Sequence, residues 1–171
     1  MPNGYGELNW NGFFVLNGLD VPPSYGYNAG VVSPSNVVFN IYGGSASFSA
    51  TSGPFGLNSA YLTAALNLDT PLNIEALGYL GTTLLYSNVY TVYRTAPTFV
   101  NFNYSGITQA IFVSSPAQQF AMDNLTITVP EPEPMLLLVY GVGVMVRWSV
   151  LRGGRSGKRG LARRWMTGED R

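Results

Sequence analysis

Residues 72–92 read Leu-Asn-Ile-Glu-Ala-Leu-Gly-Tyr-Leu-Gly-Thr-Thr-Leu-Leu-Tyr-Ser-Asn-Val-Tyr-Thr-Val, and their periodicity decides the fold class. Leu72, Ile74, Ala76, Gly78 and Leu80 share one parity, as a strand with one buried face requires. Residues 84–92 form a second run of β-formers, and Gly81-Thr82-Thr83 between the runs supplies a Gly-containing turn, so the stretch reads as a hairpin. Working outward, residues 98–104 alternate Phe99, Asn101, Asn103 against Val100, Phe102, Tyr104, the second set being the better core face. Residues 110–114 and 120–129 continue the series. On the N-terminal side, 13–16, 37–42, 46–50 and 59–66 are further runs of β-formers. Turn-rich pieces such as Asn17-Gly18 and Val21-Pro22-Pro23-Ser24 separate them. About nine candidate strands with no helix between them predict an all-β fold over residues 1–129, an antiparallel, jelly-roll-like β-sandwich.

A chain of 171 residues has room for one such domain and a tail. Charged residues are only 11 %, too few for long amphipathic helices with solvated faces. There is no Cys and no His, which removes disulfides, thiolate nucleophiles, imidazole bases and nearly all zinc or haem chemistry. A net charge of zero hides two opposite halves. Up to residue 134 the only basic side chain is Arg94, facing Glu7, Asp20, Asp69, Glu75, Asp123, Glu131 and Glu133. From Arg147 onward Arg147, Arg152, Arg155, Lys158, Arg159, Arg163, Arg164 and Arg171 are opposed only by Glu169 and Asp170. An acidic domain has no electrostatic reason to hold nucleic acid. The Gly-Arg tail, without interleaved aromatics, reads as a solvated segment rather than a nucleic-acid arm.

The composition changes at Val129-Pro130-Glu131-Pro132-Glu133-Pro134, where alternate prolines forbid helix and ladder alike and enforce an extended linker over 130–134. Residues 135–146 are uncharged, and a helix from Met135 to Leu151 would be roughly 25 Å long against a hydrocarbon core of about 30 Å. Arg147 falls late enough in it to snorkel. The sequence thus predicts a short hydrophobic C-terminal helix over 135–151, bounded by Met135, Arg147 and Arg152, and a basic tail over 152–171. Basic residues behind an apolar span stay on the cytoplasmic side, which leaves the domain across the membrane and the linker at the outer interface.

This order of parts (acidic β-domain, Phe120-Ala121-Met122-Asp123-Asn124-Leu125, Val-Pro-Glu-Pro, short apolar segment with interspersed Gly, arginines) resembles the PEP-CTERM class of exported bacterial proteins. Pro130, Glu131 and Pro132 match its sorting signature. The resemblance implies recognition and cleavage by an exosortase, transient membrane anchoring, and a surface or biofilm-matrix destination among exopolysaccharide in a Gram-negative bacterium. It also implies a structural or adhesive, non-catalytic role. The segments Gly4-Tyr5-Gly6-Glu7-Leu8-Asn9-Trp10 and Asn58-Ser59-Ala60-Tyr61-Leu62-Thr63-Ala64-Ala65 resemble sandwich domains carried by such proteins. In those a strand precedes the Tyr-Gly segment, so the resemblance implies a chain that starts inside its domain and leaves an edge unpaired. The family also begins with a signal peptide, whereas Met1-Pro2-Asn3-Gly4-Tyr5 has neither a basic start nor an apolar run. Family members usually stop soon after the arginines, and residues 153–171 extend beyond that point.

Three side-chain groups invite chemistry. Asp123 shares strand parity with Leu125, Ile127 and Val129, so unbroken alternation turns it toward the apolar side. It would then act as a structural Ca²⁺ ligand together with Glu7, the arrangement of related sugar-binding sandwiches, as the partner of Arg94, or as a cap on backbone amides. Eleven tyrosines invite a carbohydrate-binding reading through ring stacking, with Tyr25 and Tyr27 the expected exposed pair. A glycoside-active enzyme needs two facing carboxylates, for which Glu7 with Glu75 or Asp69 are the nominees. Serine catalysis lacks its base, because the chain has no His and its one Lys is Lys158.

Overall fold

The computed structural model describes residues 1–129, so the Pro-Glu-Pro linker, the expected C-terminal helix and the basic tail lie outside the described residues. The described part is an antiparallel, jelly-roll-like β-sandwich of ten strands. In chain order these are β1 Leu8–Asn11, β2 Phe13–Asn17, β3 Asn36–Asn40, β4 Ala46–Ala50, β5 Phe55–Ala64, β6 Leu72–Leu80, β7 Thr83–Val92, β8 Thr98–Ile107, β9 Gln109–Ser115 and β10 Phe120–Thr128. One sheet has the order β1-β4-β9-β6-β7 and the other β2-β3-β10-β5-β8. The predicted hairpin is the β6–β7 pair, from Leu72↔Val92 to Leu80↔Thr83.

The alternation that predicted the strands is the alternation that packs them. Leu72, Ile74 and Ala76 of β6, Val100, Phe102 and Tyr104 of β8, and Ala110 and Phe112 of β9 all enter the main core. Aromatic rings tie the two sheets together there. Phe112 meets Phe48 on its own sheet at 5.7 Å, and Phe13, Phe102 and Phe120 of the opposite sheet at 5.8–6.1 Å, distances at which edge and offset contacts add to burial. Asn40, fully buried, donates to the Gly44 and Gln118 carbonyls and accepts from the Phe120 amide, so no polar atom of that side chain is left unmet at the start of β10.

Two expectations are corrected here. The first strand, β1, was not among the nine expected; it pairs with β4, setting Trp10 opposite Phe48. Gly12, at φ +72°, lets the chain leave β1 and enter β2 in the other sheet. A four-residue helix, α1 Gly26–Ala29, also occupies the turn-rich stretch where no helix was expected. It lies on the outer face of the second sheet and builds a small second core of Tyr27, Val37, Ala65 and Ala121. The approach is close enough that a Cβ on Gly26 would stand 1.8 Å from the Ala64 carbonyl oxygen, so only glycine fits. Among the described residues no helix is long and apolar enough to cross a membrane.

Candidate functional site

The site arises where the second sheet forks. β3 pairs with β10 only at Phe39↔Ala121 and Val38↔Met122; upstream of these, Val37 and Asn36 pair with Leu16 and Asn17 of β2. Meanwhile β10 continues along β5 as far as Thr128↔Gly56. Between the diverging strands opens a cleft of about 820 Å³, within the range of small-molecule sites. Val38, Met122, Leu125 and Ile127 supply an apolar floor, and Ser33, Asn36, Asn124 and Thr126 supply polar atoms.

The N-terminal segment forms the remaining wall. The Trp10 indole N–H donates to the Tyr5 carbonyl (2.9 Å) and the Trp10 amide donates to the Asn3 side chain (2.8 Å), which clasps residues 3–5 onto β1. Trp10 packs edge-on against Phe13 (5.5 Å) and against Phe48 (5.1 Å) and also lines the cleft. Tyr5, 63 % exposed, stands at the rim. An anchored indole and an exposed phenol thus stand beside amide and hydroxyl groups in one lining.

Asp123 is placed differently from its parity. Phe120 and Met122 enter the main core and Ala121 the second one, so Asp123 belongs to the outer face. A register shift between Asp123 and Thr126, with Asn124 at φ +49°, then returns Leu125, Ile127 and Val129 to the core side. This bulge breaks the alternation on which the inward reading of Asp123 depended. The carboxylate is 8 % exposed and accepts four hydrogen bonds: Oδ2 from the Val32 and Ser33 amides (2.7 and 2.9 Å), Oδ1 from the Ser33 hydroxyl (3.1 Å) and the Asn124 amide (2.7 Å). It fastens the 31–35 loop and the bulge to each other, and both flank the cleft.

The other nominated residues are distributed as follows. Arg94 does not reach Asp123; it pairs with Asp69 and donates to the Ser24 carbonyl (2.8 Å). Glu7, at φ +62°, is exposed and lies between the cleft-lining Gly6 and Leu8. A cation bridging Glu7 and Asp123 would have to displace donors from a carboxylate whose two oxygens are already engaged. Tyr27 is corrected outright as an exposed contact. It is 7 % exposed, stacks edge-on with Phe39 (5.4 Å) and donates to Gln119 Oε1 (2.7 Å), because α1 turns it down onto the sheet. Tyr25, its neighbour, stays on the surface, away from the cleft-lining set. Sequence reasoning missed Tyr5, Trp10, Asn36 and Asn124 as one group, because long-range pairing alone brings them together.

Burial pushes the Tyr27 hydroxyl up to about 12 and raises the Tyr104 hydroxyl as well, with smaller contributions from Tyr25 and Tyr90 respectively. The unfolded chain releases both protons near pH 10. Their stabilising effect is therefore complete below about pH 10 and is lost as pH climbs from there, through about 12 for Tyr27 and at still higher pH for Tyr104. The urea midpoint is expected to fall over that window, and to fall less steeply in Tyr27→Phe.

Fold and cleft together define an antiparallel β-sandwich with an aromatic and amide-lined cleft beside its last strand. No protein-family model and no curated protein matches the chain. Similar solved structures include a family 16 carbohydrate-binding module at 13 % identity, TM-score 0.37, covering 58 % of this chain and 81 % of that one. A family 61 module in complex with β-1,4-galactotriose shares 12 % identity, TM-score 0.38, covering 75 % and 95 %. A family 4 module shares 15 % identity, TM-score 0.36, covering 68 % and 85 %.

Proposed function

We propose that this chain is a non-catalytic glycan-binding protein of the bacterial cell envelope. Its sandwich holds a saccharide in the cleft beside β10, and residues 130–171 serve as a sorting address cut by an exosortase. The observation that carries the binding reading is the composition of the cleft, where Tyr5 and Trp10 face amide and hydroxyl groups over an apolar floor. Pyranose rings present the matching pattern, with C–H faces that stack on aromatics and equatorial hydroxyls that exchange hydrogen bonds.

The carboxylates support a role without catalysis. Glu7 adjoins β1 and Glu75 lies in β6, three strand spacings away in the order β1-β4-β9-β6. At about 4.8 Å each this is about 14 Å, more than the roughly 5–9.5 Å between the acids of glycoside hydrolases. Asp69 is engaged by Arg94, and Asp123 by its four donors.

Affinity electrophoresis of the full chain in gels containing polysaccharide tests the binding. Tyr5→Ala and Asn36→Ala are expected to weaken retardation about tenfold, since a stacked ring or a lost hydrogen bond is worth roughly 1–1.5 kcal/mol, with melting temperature unchanged. Equal retardation of these variants and the parent overturns the cleft assignment. For the tail, the support is the order of Pro130-Glu131-Pro132, the apolar run and the arginines in the sequence. A reporter fused to residues 120–171 and given an export signal is expected to be cut near the linker in a host carrying an exosortase. An uncut, unsorted reporter removes that half of the reading.

A further inference from the structure

Resting on the glycan reading above, we propose that the cleft selects uncharged glycans and rejects chains bearing uronate or sulfate. The charges of the domain and of the cleft lining favour a neutral ligand. The described residues hold five carboxylates, Glu7, Asp20, Asp69, Glu75 and Asp123, against the single guanidinium of Arg94. That guanidinium is committed to Asp69 and to the Ser24 carbonyl, and Arg94 does not line the cleft. The Met1 amino group, at the cleft wall, donates to the Phe13 carbonyl (2.9 Å). Among the described residues, therefore, no Lys or Arg side chain lines the cleft to receive an anion.

The charged groups of the lining are one of each sign, the Met1 ammonium and the Asp123 carboxylate, and the others are dipoles. The side chains of Tyr5, Asn36, Asn124 and Thr126 make no hydrogen bond to other described residues, and the Ser33 hydroxyl, donating to Asp123, keeps its acceptor lone pairs. These groups both give and accept, as sugar hydroxyls do. A glycan carboxylate entering the same space would lose its hydration with only the Met1 ammonium, already offset by Asp123, to replace it, a cost that falls on the anionic ligand alone. It would also approach Asp123 and a domain of net negative charge. Rejection by an uncompensated charge is how such a site discriminates between ligands of the same shape.

The basic residues of the tail make the test two-sided, because a polyanion has a second place to go on the full chain. Retardation by glucomannan and galactan is compared with that by alginate and polygalacturonate, at about 50 mM and about 500 mM NaCl, for the parent, Tyr5→Ala and Asn36→Ala. Neutral chains are expected to bind with less than about twofold change across that salt range and to be weakened about tenfold in both variants. Any binding of the acidic chains is expected to vanish at high salt and to be the same in parent and variants. Acidic binding that needs Tyr5 and Asn36 overturns the selectivity while leaving the cleft as a glycan site. Failure of every polysaccharide to retard the chain overturns the glycan reading and the selectivity with it.

Discussion

Asp123→Ala is expected to lower the melting temperature by roughly 10–20 °C, at about 3–5 °C per kcal/mol for a domain of this size. The substitution strips the acceptor from the Val32, Ser33 and Asn124 amides and from the Ser33 hydroxyl at once. Charge-assisted bonds to a buried carboxylate are worth about 1.5–3 kcal/mol each but do not add in full, so a total of about 3–5 kcal/mol is the expectation. Asp123→Asn keeps one acceptor oxygen but turns an NH₂ group toward existing donors, and should fall between. Because the fastened loop and bulge are the flanks of the cleft, glycan binding should weaken in Asp123→Ala even where the protein remains folded. A cost below about 1 kcal/mol in urea unfolding would mean that the loop is held by something else.

The second large effect concerns the core. Phe112→Ala is expected to cost about 3–5 kcal/mol, or roughly 10–20 °C, since the ring touches both sheets and is fully buried. Its loss leaves a cavity facing Phe13, Phe48, Phe102 and Phe120, all of which are anchored in strands of fixed register and collapse poorly into the space. Phe112→Leu, which refills most of the volume, is expected to recover more than half of the loss. Equal costs for Ala and Leu would show that the ring's contribution is not volume filling.

Where one face of a strand is buried and its partner strands are regular, the sequence carried the structure almost unaided. The parity of Leu72, Ile74 and Ala76, whose partners pair in unbroken register, is the parity of the core, and Val100, Phe102 and Tyr104 keep theirs across the register shift between β5 and β8 at Asn103. The reading failed where a single residue changed the phase. Asn124 in a left-handed conformation inserts a bulge, so extrapolating from Leu125, Ile127 and Val129 back to Asp123 gave the wrong face. Asn is one of the residues that tolerate this conformation, yet nothing local distinguishes it from an exposed strand Asn. Tyr27 was misplaced for a different reason, because four residues are too few to show a helical period and the sheet face that receives it is built from strands distant in sequence. The cleft was illegible for the same cause, since it exists only because β3 leaves β10 after two paired residues.

A saccharide seated in the cleft beside β10 is the central proposal. The most direct measurement is a ¹H–¹⁵N correlation spectrum of the labelled chain during titration with a soluble neutral oligosaccharide of the polysaccharide that retards it. Saturable shifts are expected for the Trp10 indole N–H, the Asn36 and Asn124 side-chain amides and the Tyr5 backbone amide, with signals of Tyr25 and Arg94 unmoved. Shifts confined to Tyr25, to the outer face around Glu75, or to residues 147–171, with Trp10 and Asn124 silent, would contradict that proposal.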